Sequence, residues 1–106
     1  MTILGVVDPG ATRLVLPEQV VKQLGLPSMG EVKVTYANQE SATREAASGV
    51  HVRLLGRDGV FTAIVEPKRR TALIGAIVLE DLDFLVDGTL QRLVPRDPRF
   101  VVNEIE

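Results

Sequence analysis

The chain has 106 residues, 12 of them basic and 14 acidic, for a formal charge of −2; this length suits one domain, and the charge leaves no footprint for nucleic acid or an anionic membrane. With no cysteine and one histidine, disulfides and thiolate chemistry are excluded and a zinc site or histidine triad would need groups from another chain, so no metal or other cofactor is expected. Apolar residues make up 45% but aromatics only 4%, so Val, Leu and Ile must build the core, a bias toward strands.

The apolar run Ile3 to Val7 reads as a first strand, rich in β-branched residues. It meets Asp8-Pro9-Gly10-Ala11, where Pro9 sets φ for a turn and Gly10 allows a close approach that a Cβ would forbid. A second short strand, Arg13 to Leu16, leads into a short amphipathic helix over 17–25, with Pro17 in its first turn, Val20, Val21 and Leu24 on one side and Gly25 as the stop. Val32, Val34 and Tyr36 then alternate with Lys33, Thr35 and Ala37, the period of a strand with one buried face. Asn38-Gln39-Glu40-Ser41 reads as a hairpin tip, and the small, polar return arm from Ala42 to Ser48 is expected to project into solvent.

Val50, Val52 and Leu54 resume the alternation, with His51 pointing away from the buried face. Gly56-Arg57-Asp58-Gly59 makes a turn in which Arg57 is a simple turn residue, and Val60 to Val65 is the partner strand. Pro67-Lys68-Arg69-Arg70 reads either as a basic patch for a ligand or, the more common case for three cations beside a proline, as a solvated, charged connection. Ala72-Leu73-Ile74-Gly75 is a buried strand end with a close backbone contact at the glycine, followed by a second helix from Ala76 to Leu82. Phe84 to Val86, a turn at Asp87-Gly88 and Leu90 to Val94 form a last hairpin. The domain is placed at residues 1–95, with 96–106 as a tail whose Phe100-Val101-Val102 could pair across a dimer. No basic-apolar leader opens the chain and no apolar run approaches the ~20 residues of a membrane span, so a cytoplasmic protein is expected.

Asp8 is the residue with chemical promise: an acid at a strand-to-turn junction, although a turn acid that caps a strand end has the same local appearance. Asp58, Asp81, Asp83 and Asp87 lie in turn or helix-end contexts where acids cap and solubilise. Local sequence therefore sets no second acid beside Asp8. A carboxylate pair needs another copy of the chain, and a twofold homodimer supplies it, because an isologous interface brings the same residue of both subunits to the axis.

Val6-Val7-Asp8-Pro9-Gly10-Ala11 resembles the apolar-apolar-Asp-Thr/Ser-Gly-Ala motif of retropepsin-like aspartic proteases, particularly small bacterial single-domain members. The resemblance continues through Thr12 to Pro17, the following helix, the hairpin around Tyr36-Ala37-Asn38 and the strand Gly49-Val50-His51-Val52. It resumes at Leu73-Ile74-Gly75, similar to the family's second apolar-apolar-Gly motif ahead of a helix, and closes at 83–87. It implies a mostly β, closed acid-protease barrel with one or two short helices, forming half of a twofold dimer.

The resemblance further implies an aspartic endopeptidase acting on a peptide or protein, with Asp8 and its symmetry mate as the catalytic dyad. Pro9, Gly10, Ala11 and Thr12 would form the active-site loop, and Leu73, Ile74 and Gly75 would support it from beneath. Tyr36, Ala37, Asn38 and Gln39 would belong to a flap over the substrate. Two departures stand out: position 9 is proline where the family has Thr or Ser, and only seven residues precede Asp8 where members usually carry a further N-terminal hairpin. The first leaves a second reading open, a catalytically impaired dimer acting as a peptide-binding or interaction module.

Overall fold

The computed structural model describes residues 1–87 and 92–95. Among the described residues, eight strands and two short helices follow one another as β1 (Gly5–Val7), β2 (Leu14–Pro17), α1 (Glu18–Leu24), β3 (Ser28–Thr35), β4 (Ser41–Leu54), β5 (Arg57–Glu66), β6 (Ala72–Ile74), α2 (Ala76–Asp81), β7 (Phe84–Asp87) and β8 (Arg92–Pro95). Six strands form one mixed sheet in the order β1-β6-β2-β5-β4-β3, and β7 and β8 form a separate ribbon. The sheet is open, with β1 and β3 at its edges; the closure implied by the resemblance is not among its pairings. The turn at Gly88 and the tail 96–106 lie outside the described residues.

The core forms where the sheet is covered by α2 and β7. Leu14, Val78 and Leu82 are its most enclosed large side chains, packed with Phe61, Ile74, Leu79 and Phe84. With few aromatics, aliphatic side chains from strands and helix supply most of the apolar burial. The first helix contributes less: none of its residues is buried and Leu24 is exposed, so Val20 and Val21 are its only half-buried apolar side chains. It begins at Glu18, Pro17 being the last residue of β2, and ends at Gly25 as the sequence predicts.

Three sequence expectations are corrected. The alternation of Val32, Val34 and Tyr36 does not give β3 a buried face: it is an edge strand paired on one side, Val32 and Tyr36 are exposed and only Val34 is half-buried. The return arm 42–48 is not wholly solvated: it belongs to the 14-residue β4, and Ala46 and Ala47 are buried against Ile64 and Ala63 of β5. Small side chains suit this position because they allow close packing within the sheet. Arg57 is not a turn residue. It opens β5 with 4% of its surface exposed, and its Nη1 donates to the carbonyl oxygens of Leu82 (2.8 Å) and Asp83 (3.1 Å). Its guanidinium also lies 5.2 Å from the centre of the Phe84 ring. These contacts tie the link between α2 and β7 to the sheet.

Candidate active site

Asp8 sits one residue beyond β1. That strand runs parallel to β6, with Val7 opposite Ile74, and the ladder extends one step further as the Asp8 N–H donates to the Ile74 carbonyl (3.0 Å). The chain then turns: the Ala11 N–H donates to the Asp8 carbonyl (3.1 Å), and the Gly10 N–H donates to Asp8 Oδ1 (2.9 Å). An acid at the first turn position accepting from the residue two ahead is the local bond that Asp makes well. Gly10 leaves room for this bond: a Cβ there would stand a tight 3.2 Å from Asp8 Oδ1.

The loop rests on Gly75. A Cβ at that residue would lie 2.4 Å from the Arg13 carbonyl oxygen and 2.9 Å from that of Ala11, so only hydrogen fits between the two backbones. Directly after it, the first N–H groups of α2 find acceptors in the same loop: Ala76 donates to the Ala11 carbonyl (2.7 Å) and Ile77 to that of Thr12 (2.9 Å). Helix-start donors have no partner within their own helix, so this docking satisfies α2 and immobilises the loop together. Leu73, Ile74 and Gly75 thus lie beside and beneath Asp8.

Asp8, Gly10, Ala11 and Thr12 face an open cleft of about 670 Å³, with Tyr36 and Ala37 of the β3–β4 hairpin on its other side. The hairpin turn is closed by the Tyr36 N–H on the Glu40 carbonyl (2.8 Å) and the Gln39 N–H on the Tyr36 carbonyl (2.9 Å). Ser41 accordingly starts β4 instead of belonging to the tip, and Asn38 and Gln39 occupy the exposed turn away from the cleft wall. Pro9 is exposed beside the loop and is not part of the cleft lining.

A family model described as aspartyl protease matches residues 2–78, spanning the Asp8 loop, the hairpin and the Gly75 motif. The chain belongs to this aspartyl protease family, of the retropepsin-like clan. No curated protein matches it significantly. Within this aspartyl protease domain, no cluster of three His, Cys, Asp or Glu side chains among the described residues is placed to hold a metal ion, and no helix among them is long and apolar enough to cross a membrane.

The cleft also contains Glu66, Lys33 and Arg13, which the sequence did not single out as site residues, and Arg69 from the basic stretch 67–70. Glu66, at the end of β5, lies on its wall and accepts on one oxygen from both the Tyr36 hydroxyl (2.6 Å) and Arg44 Nε (2.8 Å). This three-residue strap holds the root of the hairpin to β5. The charged connection at 67–70 is divided: Lys68 and Arg70 are exposed, while Arg69 is half-buried and donates from Nε to the Thr71 carbonyl (2.7 Å). His51 is exposed on β4, as its alternation predicts, 3.4 Å from Asp58.

The strap has a spectroscopic signature. The hydrogen bond to the Glu66 carboxylate raises the Tyr36 pKa above the ordinary phenol value, because ionisation would break that bond and set two negative charges together. A raised pKa means that the tie is fully present below the ordinary tyrosine pKa and is lost as pH rises through the folded value. Tyr36 is the one tyrosine and there is no tryptophan, so phenolate absorbance follows this group alone. Glu66→Ala is expected to move the titration down toward free tyrosine; an unchanged titration would remove the strap.

Proposed function

We propose that the chain is one half of a homodimeric aspartic endopeptidase in which Asp8 and the partner subunit's Asp8 share one water. The observation that carries the reading is the anchored acid at the mouth of the cleft: Asp8 is held by β6 and α2 beneath a hairpin that can cover an extended peptide. Glu66 is the other acid on that wall, and it is engaged by Arg44 and Tyr36, which disqualifies it as a proton-sharing partner. The second carboxylate then comes from a second copy. β1, with Val6 half-exposed at the sheet edge, carries Asp8 to a surface where such a copy can meet it.

Two carboxylates at contact distance do not both ionise readily, so the pair holds one proton. The ionised Asp8 takes a proton from water as its oxygen bonds to the peptide carbonyl carbon, while the protonated Asp8 donates to the carbonyl oxygen. The tetrahedral intermediate then expels the amine, which takes a proton from the first Asp8; the second recovers its own from the collapsing hydroxyl. Peptide and water become acid and amine, and the dyad returns to its starting state. The protease unit is taken to extend through residue 95; the burial of Leu82 and Phe84 in the same core as β2 and β5, and the pairing of β7 with β8, support it.

One observation favours the rival, a non-catalytic dimer that binds peptides. Within one subunit Pro9 costs nothing, since both local turn bonds use the N–H groups of Gly10 and Ala11. Its consequence falls across the axis, where it offers neither N–H nor hydroxyl to tie the paired loops. Pro9→Thr is expected to lower the dimer Kd by about tenfold, the effect of two hydrogen bonds of modest net strength, and to raise hydrolysis at mildly acidic pH. Sedimentation and a peptide assay measure both. An inert wild type that becomes a protease on this change would assign the natural chain to the binding role, and a wild type that remains monomeric at high concentration would remove both readings.

A further inference from the structure

The cleft is charged against the chain as a whole. The protein is net acidic, yet Arg13, Lys33 and Arg69 all line the cleft, on different segments and far apart in sequence. Of the two acids among the lining residues, Glu66 is already met by Arg44 at 2.8 Å, so three lining cations stand against one other acid, Asp8. Charges inside a concave, partly desolvated surface act over several ångströms and select ligands by sign.

Arg69 is the best-placed of the three. Its Nε donates to the Thr71 carbonyl (2.7 Å) and one terminal nitrogen lies 3.5 Å from Thr71 Oγ1. That uses the side edge of the guanidinium and holds a half-buried, pre-oriented group. The remaining donors on the terminal nitrogens suit a carboxylate, which takes two parallel N–H bonds from such a fork. Lys33 lies on β3 of the hairpin and Arg13 immediately follows the Asp8 loop, so cations border the cleft from the flap and from the floor.

We propose that the cleft selects peptide segments bearing an acidic side chain, with Arg69 receiving its carboxylate and Lys33 and Arg13 supplying the supporting field. This rests on the reading of the cleft as the peptide site, and it makes Arg69 and Lys33 specificity determinants of that site.

The test uses the full chain and peptides of one sequence, each prepared amidated and with a free C-terminus, with Glu, Gln or Lys scanned along it. Each is measured twice: as a cleavage substrate, and as a non-hydrolysable reduced-amide analogue in fluorescence anisotropy. At one scanned position Glu is expected to be favoured over Gln by about tenfold, the effect of one charge-assisted contact, with Lys weakest and the preference shrinking as salt rises. Arg69→Gln should erase most of the preference and Arg69→Lys keep part of it. Because Arg69 also holds its own loop, Lys33→Glu at an exposed strand position gives an independent arm, and it should shift selection toward Lys.

Equal binding of Glu and Gln peptides overturns the inference. So does a preference found only for a free C-terminal carboxylate and abolished by amidation. Selective binding without cleavage supports the inference while removing the protease reading. Cleavage with no charge preference does the reverse.

Discussion

Asp8→Asn is expected to abolish peptide hydrolysis while leaving the fold in place. The replacement is isosteric, and its Oδ1 can still accept the Gly10 N–H that shapes the turn in the native chain. Stability should therefore change by no more than about 0.5 kcal/mol. In a homodimer both members of the dyad change together, removing the general base and the general acid at once, so kcat/KM should fall by about 10⁴-fold or more. Mixing wild type with the variant gives a sharper result. If each site needs both subunits, activity falls as the square of the wild-type fraction; independent sites would give a linear fall. Hydrolysis that survives Asp8→Asn would sink the dyad.

The second large effect belongs to Gly75→Ala, and it should be one of stability first. The added Cβ would stand 2.4 Å from the Arg13 carbonyl oxygen, 2.8 Å from the Arg13 nitrogen and 2.9 Å from the Ala11 carbonyl oxygen. All three are backbone atoms, so no side chain can swing aside to make room. Relief requires the Asp8 loop to lift from α2, which stretches the bonds from Ala76 and Ile77 to that loop. A loss of about 3 kcal/mol is expected, read as a fall in Tm of order 15 °C for a domain of this size. Activity should fall further than the unfolded fraction accounts for, because the displaced loop carries Asp8. Gly10→Ala is the milder companion, with Asp8 Oδ1 as its one close neighbour at 3.2 Å. A Gly75→Ala protein as stable as wild type would overturn the packing argument.

Much of the fold was legible because it is written in local spacing. The strand ahead of Asp8, the Pro-Gly turn, the hairpin about residue 38 and the helix ending at Gly25 each depend on neighbours within a few residues, although β1 is confined to Gly5–Val7 and β3 lacks the buried face its alternation predicts. The close contact at Gly75 was legible too, as a glycine ending an apolar run, although its partners were not. Arg57 misled for the same local reason: between Gly56 and Asp58 it has the pattern of a turn. Its burial depends on carbonyls of Leu82 and Asp83, 25 and 26 residues further on. The return arm misled because Ala46 and Ala47 look merely small, and only β5 lying alongside makes them interior.

The sequence by itself determined the turn that presents Asp8, the strand-rich character and, through the order of its motifs, membership of the aspartyl protease family, since these depend on backbone preference and short-range spacing. Tertiary structure alone decided which charges share a wall with Asp8. The order β6-β2-β5-β4-β3 brings the Asp8 loop, the end of β5 and the hairpin to one cleft. Glu66 is thereby strapped to Tyr36 and Arg44, and of the basic stretch 67–70 it is Arg69 that lines the cleft. Nothing in the spacing of these residues specifies that meeting; it follows from pairing such as that of β2 with β5, where Leu14 stands opposite Ala63, and one hydrogen-bonded register sets which side chains stand together.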